Sequence, residues 1–243
     1  MTESENDWRM HNMLHLSEDW TSPWCGQTAP KGSQVTLSSV VQLNKKKTLA
    51  IALPNATALC LNMSKRSWAE AREIRIKAKI DSSLKSEVGF DSHSEAFDYI
   101  ERVMESIVMA FTALEAFVNE IIPDDYKYEA YRKSETILEL MNKEQIERFL
   151  SLDEKLSTIL PEVLSIKSPK GIRCWQGYRK LKTVRDRVIH MKNVDRRSSG
   201  PDIPTLWHEL FKVKSPVFQA KDIIDYFVKA MDDCPRWHSE YPK

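Results

Sequence analysis

Apolar residues recur at three- and four-residue steps from Phe97 through Ile100, Met104, Ile107, Val108, Phe111, Leu114, Phe117 and Val118 to Ile121. That spacing lays them along one helix face and is the strongest helical signal in the chain. Ser92 followed by Glu95 has the form of a capping box at its start, and Pro123-Asp124-Asp125 ends it. A helix of about 28 residues, rising about 1.5 Å each, runs roughly 40 Å and is long enough to be the spine of a bundle. A second amphipathic pattern covers 175–193, with Leu181, Val184, Val188 and Met191 on one stripe. A third begins at Ser215-Pro216, with proline at the favoured first turn, and carries Val217, Ala220, Ile224, Phe227, Val228 and Met231. Residues 65–85 read as a basic helix that includes Trp68, Ile74 and Ile76. Two or three short helices are expected among 134–140, 143–150 and 153–160, with Pro161 and Pro169 as punctuation.

The first third of the chain follows another pattern. Residues 35–43 and 48–53 are rich in β-branched and aliphatic side chains and are joined by Asn44-Lys45-Lys46-Lys47. Residues 58–63 follow Pro54-Asn55 as a third short apolar run, so a hairpin or small three-stranded sheet is expected. Residues 1–34 hold Trp8, Trp20, Trp24, Pro23, Gly26 and Pro30 without periodicity and read as a loop-rich arm packed through its tryptophans. The expected fold class is mainly α: an antiparallel helical bundle with a small N-terminal β-hairpin or sheet region. The expected division is 1–63 for the arm and β region and 64–243 for the helical domain.

Composition narrows the class without naming a chemistry. The 243 residues are 42% hydrophobic and 29% charged, which suits a globular protein able to bury a full core. No uninterrupted apolar run approaches the roughly 20 residues of a membrane span. The polar, mixed-charge N-terminus resembles no secretory signal. Cys25, Cys60, Cys174 and Cys234 are widely spaced without any C-x-x-C pairing, which fits free thiols in a reducing compartment, with the cytoplasm as the default. With six glycines and no P-loop, G-x-S-x-G or H-E-x-x-H pattern, neither a cofactor nor a metal is expected. His93, His208 and His238 have no ligand spacing around them.

Charge, however, is segregated in a way the net value of +1 hides. Residues 91–163 hold 17 acidic and 7 basic side chains, whereas residues 170–197 hold 10 basic and 2 acidic ones. Such blocks pair with each other within a fold or a dimer, or leave a basic face that attracts polyanions. Within the basic block lies Arg185-Asp186-Arg187-Val188-Ile189-His190. On an ideal helix His190 falls opposite the apolar stripe, beside Arg179, Asp186 and Arg187, so it is either a solvated surface histidine or a working one. Arg185 lies about 140° around from it, and only a kink or a second subunit would bring the two to one phosphate. Asp186 is the i,i+4 neighbour of His190 and either orients the imidazole or forms a helix-face ion pair. These residue types suit metal-independent RNA cleavage. A histidine moves the proton of the attacking 2′-hydroxyl, and a guanidinium stabilises charge on the phosphoryl oxygens. Arg179, Lys182, Arg187 and Lys192 are candidates to hold the flanking RNA backbone. Trp175 and Tyr178 either stack bases or, the favoured reading, pack the helix.

Arg185-Asp186-x-x-x-His190 resembles the R-polar-x3-H motif of the HEPN superfamily, named for its occurrence in higher eukaryotes and prokaryotes and for nucleotide binding. The approach Trp175-x5-Leu181-x2-Val184 and the earlier long helix with Phe111, Glu115 and Asn119 are similar to that family as well, over about residues 92–233. The resemblance implies a helical bundle that dimerises and brings two Arg/His pairs into one composite cleft. It implies a metal-independent endoribonuclease acting on RNA as a toxin or antiviral-defence effector, with an antitoxin or regulatory protein as a further partner. Arg185 and His190 would be catalytic, Asp186 would occupy the polar position, where asparagine is commoner, and Glu115 and Asn119 would either support the site or simply form the exposed side of the spine helix. A non-catalytic HEPN-like module that binds RNA, a nucleotide or a protein is the alternative. Nothing before Ser64 matches the family.

Overall fold

The computed structural model describes residues 7–11, 14–23, 26–132 and 137–241. The chain falls into two compact units, Met1–Leu59 with Asp233–Lys243, and Cys60–Asp232. The contact boundary thus lies four residues before the one expected from sequence, and the last eleven residues join the first unit.

The first unit contains short strands β1 (Leu14–His15), β2 (Trp20–Thr21), β3 (Thr28–Ala29) and β4 (Gln34–Val35), nested so that β1 pairs with β4 and β2 with β3. Strands β5 (Ser38–Asn44) and β6 (Lys47–Ala52) form the hairpin expected from their composition, with Val41 opposite Leu49. Its turn is closed by the Lys46 amide donating to Asn44 Oδ1 at 2.9 Å. The tryptophan-rich arm packs in part as anticipated: the Trp8 ring meets Tyr241 edge-on at 5.3 Å. Trp24 and Cys25 lie outside the described residues.

Residues 58–63, read from sequence as a strand, belong instead to helix α1 (Ala56–Lys77). Asn55 supplies the reason. Its Oδ1 accepts the Ala58 amide at 2.9 Å, so a helix start follows Pro54 directly. A short apolar run is ambiguous by periodicity, and here the cap decides. The far end also differs from expectation: α1 stops at Lys77, not near residue 85, because Lys79 turns left-handed at φ 53°. Arg75 braces this exit, donating to Asp81 through Nε (2.7 Å) and Nη2 (2.6 Å) and to the Phe211 carbonyl through Nη1 (2.8 Å).

Helix α2 (His93–Ile121) is the expected spine. The Ser92 hydroxyl caps it by accepting the Glu95 amide at 3.1 Å, while the Glu95 carboxylate reaches back one residue further, to the Asp91 amide at 3.2 Å. Small residues let α1 and α2 approach closely: Ser64 and Ser106 each donate to the other's carbonyl, at 2.8 and 2.9 Å, with both side chains buried.

Next come β7 (Tyr128–Arg132) and β8 (Ile137–Met141), an antiparallel pair. The helix expected over 134–140 is therefore not formed across its described part. The alternation of 128–132 gives that stretch a strand partner, and pairing outweighs the weak helical pattern. Residues 134–136 themselves lie outside the described set. Helix α3 (Lys143–Phe149) has an Asn142/Gln145 capping box. The helix expected over 153–160 is a composite of α4 (Leu152–Glu154), a π-helical stretch (Lys155–Ile159) and α5 (Leu160–Val163). Helices α6 (Arg173–Ile189), α7 (Leu206–Lys212) and α8 (Pro216–Val228) follow, and α9 (Arg236–Glu240) lies in the first unit. Neither α7 nor α9 was expected.

The core of the second unit is where α2, α6 and α8 meet. Ile107, Ala110, Leu114 and Phe117 of α2, Tyr178 and Leu181 of α6, and Ala220, Ile224 and Phe227 of α8 are all fully buried there. The protein is mainly α-helical, and among the described residues no helix is long and apolar enough to cross a membrane.

Candidate functional site

Helix α6 carries the basic block as a cover over the core. Tyr178, Leu181, Val184 and Val188 point inward, and the charged residues are left toward solvent or the margins. The helix ends at Ile189, so residues 190–193, expected as its last turn, lie beyond it. His190 is the C-cap: its amide donates to the Asp186 carbonyl at 2.9 Å, and its backbone leaves the helix at φ −119°, ψ 63°. Its side chain is exposed, and its ring has no hydrogen-bond partner among the described residues.

Arg185 is held in place. Its guanidinium carbon lies 3.8 Å from the centroid of the Phe111 ring, reaching over α2, and Nη1 donates to Asp186 Oδ1 at 2.8 Å. The aromatic face attracts the cation and fixes its plane, leaving Nε and Nη2 without a partner among the described residues. Asp186 is thus engaged with Arg185. Of the two readings of Asp186, the carboxylate–imidazole contact to His190 is not made: the carboxylate turns to Arg185, and the His190 backbone leaves helical geometry at φ −119°, ψ 63°. Arg185 and His190 do not hydrogen-bond to each other within one copy.

Glu115 and Asn119, expected beside that pair, meet a different group. Lys155, buried in the π-helical stretch, donates from Nζ to the Glu147 carbonyl at 2.9 Å and to Asn119 Oδ1 at 3.1 Å, with Glu115 Oε2 at 3.7 Å. The wider π turn places this lysine inward, where sequence periodicity would not put a charge.

The four residues expected to hold RNA backbone divide. Lys182 donates to Asp153 Oδ2 at 2.7 Å and Arg179 donates to the same oxygen at 2.6 Å, while the Tyr178 hydroxyl donates to Oδ1. Burial works to raise the Asp153 carboxyl, but the hydrogen bonds from Lys182 and Tyr178 and the nearby cationic charge outweigh it and hold the group below its ordinary range. The Tyr178 hydroxyl is pushed well up, first by burial and then by the Asp153 carboxylate. Tyr178 is fully buried, its ring 5.0 Å from that of Trp175, so it packs the helix and presents no face to a base.

Arg187 is also committed to the fold. It donates to Asp195 Oδ1 at 2.8 Å and to the Pro204 carbonyl at 2.8 Å. That geometry makes it a clamp on the chain leaving the site, and a phosphate contact is the poorer account of it. Asp195 has no exposed side-chain surface and also accepts the Lys192 amide (2.9 Å) and the Leu206 amide (2.7 Å). Its carboxyl is held down to about 2 by the Arg187 hydrogen bond foremost, against desolvation, with the two amides assisting. Lys192, by contrast, is exposed, with no side-chain ion pair among the described residues.

Sequence reasoning missed Phe111 as the platform for Arg185, Asp153 as the hub of three donors, Lys155, and Asp195. Only Asp195 left a signal: it is the second of the two acidic residues in a block of ten basic ones. No cluster of three or more histidine, cysteine, aspartate or glutamate side chains placed to hold a metal occurs among the described residues. Comparison of the chain with family models, with curated proteins and with solved structures finds no match.

Proposed function

We propose that the protein is a metal-independent endoribonuclease of the HEPN type, working as a homodimer, in which Arg185 and His190 act on a phosphodiester. The observation that carries this reading is the pair itself. A guanidinium is fixed on an aromatic face with donors to spare, and five residues later an exposed imidazole with no partner among the described residues stands at the end of the same helix. The mainly helical architecture around the long spine helix is consistent with the fold that the motif implies.

In the proposed reaction the 2′-oxygen of RNA attacks the adjacent phosphorus and loses its proton to His190. The bond from phosphorus to the 5′-oxygen breaks, leaving a 2′,3′-cyclic phosphate on one fragment and a 5′-hydroxyl on the other. The proton for the departing oxygen comes from the imidazole of a second copy of the chain. Arg185 donates to the phosphoryl oxygens through its free Nε and Nη2. The second copy is invoked because Arg185 and His190 do not hydrogen-bond to each other within one. A role as toxin or defence effector, held in check by an antitoxin or regulatory partner, belongs to the same reading.

The test is cleavage of total cellular RNA in EDTA by the wild type, His190→Ala and Arg185→Ala. A general acid–base contributes on the order of 10²–10⁴ in rate, so cyclic-phosphate ends should fall at least about 100-fold in the histidine variant. Full cleavage by both folded variants refutes the assignment. The absence of a direct contact between the two side chains also suits a non-catalytic module that binds RNA. Salt-sensitive binding by the wild type, with no product, would establish that module instead.

A further inference from the structure

The basic block contributes to a second feature, whose lining includes neither Arg185 nor His190. A groove of about 370 Å³ lies between α6, the end of α7 and the start of α8. Arg179, Lys180, Lys212 and Lys214 line it, with Glu209 as the single acidic side chain and Val213 among its apolar floor. Arg179 shares its charge with Asp153, but Lys180, Lys212 and Lys214 have no ion-pair partner among the described residues. Lys212 and Lys214 come from a segment 32 residues beyond Lys180 in sequence, so the fold gathers this charge and no single run of lysines supplies it. Like charges brought together without counter-ions repel, and a polyanion relieves that cost. The positive end of α8, thirteen residues long and beginning directly after Lys214 and Ser215, adds to the same potential.

We infer that this groove binds the phosphodiester backbone of a single nucleic-acid strand. The volume is at the low end of the range for ligand pockets, about 300–1,000 Å³, which suits a strand of one or two nucleotides in depth and not a duplex. Lys180 lies nine residues, or about 13 Å along the axis, before the end of α6 at Ile189, which His190 follows, so a short strand in the groove can extend toward the proposed site. That the strand is RNA rests on the endoribonuclease reading; the groove's affinity for phosphodiesters does not. Arg179 was anticipated as a backbone contact, whereas Lys180, Lys212 and Lys214 were not.

Binding is measured by fluorescence anisotropy with a labelled 12-nucleotide single-stranded RNA and the DNA of the same sequence, between 50 and 200 mM salt. The protein carries His190→Ala so that no cleavage intervenes. Each phosphate neutralised contributes about −0.7 to the slope of log K against log salt for a single strand. The triple variant Lys180→Gln/Lys212→Gln/Lys214→Gln should therefore have a slope shallower by about 2. The charge-matched variant Lys45→Gln/Lys46→Gln/Lys47→Gln in the β5–β6 turn should keep the original slope. Glu209→Gln, which removes the one opposing charge, should tighten binding several-fold, and a misfolded variant would not do that. An unchanged slope in the groove triple, an equal loss in the hairpin control, or no RNA binding at 50 mM salt overturns the inference. Binding of a polyglutamate peptide at the groove in preference to either oligonucleotide overturns it also. Equal RNA and DNA binding supports a phosphodiester site open to either strand, and tighter RNA binding supports one that uses the ribose. The cleavage assay stands apart: intact binding with no cleavage by the wild type removes the enzyme reading and leaves the groove.

Discussion

Replacing Asp195 with asparagine isolates the group that holds the chain just after His190. Each carboxylate oxygen of Asp195 accepts two donors: Oδ1 from Arg187 Nη2 and the Leu206 amide, Oδ2 from the Lys192 amide and, at 3.4 Å, Arg187 Nε. An asparagine amide has one acceptor oxygen, so either orientation points its NH2 at two donors and strands them in a site with no side-chain exposure. Each stranded buried donor costs about 1–3 kcal/mol, and breaking a buried ion pair from one side costs about 3–5 kcal/mol. The expected loss is therefore about 3–5 kcal/mol. Protonation is the milder perturbation, because the acid keeps one oxygen unaltered. The drop from 3.8 to about 2 corresponds to about 2 kcal/mol. Since the folded pKa is depressed, that contribution is present in full above about pH 4 and is lost as pH falls toward 2. Urea unfolding followed by tryptophan fluorescence is the assay, with Trp207 as a local reporter because its indole donates to the Asp195 carbonyl at 2.8 Å. Asp195→Asn should lower the midpoint at pH 7 and show a smaller stability change between pH 4 and 2 than the wild type, the remainder coming from other depressed carboxyls such as Asp153 and Asp7. Adding Arg187→Met to Asp195→Asn should cost less than the two single losses summed, since the partners act as a pair. A loss under about 1 kcal/mol, or strict additivity, would show that Asp195 is not the anchor.

Phe111→Leu removes the ring beneath Arg185. A cation–π contact of about 0.5–2 kcal/mol translates into a loss of roughly 2- to 30-fold in RNA cleavage, with Phe111→Trp expected to restore part of it. Tyr178→Phe deletes a hydrogen bond to a carboxylate and should cost about 1.5–3 kcal/mol in thermal or urea unfolding while leaving RNA affinity unchanged. A loss well under about 1 kcal/mol would show that the hydroxyl bond to Asp153 does not help hold the helix. Lys155→Met should destabilise the fold by about 1–3 kcal/mol, because the Glu147 carbonyl and Asn119 Oδ1 lose their donor. Folded Lys155→Met should cleave as well as the wild type.

Elements defined by short-range pattern were legible in the sequence. The spine helix α2, its Ser92 cap, the proline-started α8 and the β5–β6 hairpin all follow from periodicity, capping chemistry and β-branched composition, which act within a few residues and need no partner. So do the basic character of α6 and the inward stripe of Leu181, Val184 and Val188. Where the sequence reading failed, a residue distant in the chain or a single cap was decisive. Residues 58–63 became helix because of Asn55, and residues 137–141 became strand because β7 was there to pair with them. The same holds for the charges. Composition says that 170–197 is basic, but not which cations are spent on internal partners. Asp153 binds Arg179 and Lys182, Asp195 binds Arg187, and Phe111 holds Arg185, while Lys180 and Lys192 stay free among the described residues. A hydrogen bond or ion pair needs its partner within about 3–4 Å, so only the tertiary arrangement of α2, α4, α6 and the turn at Asp195 could make that assignment.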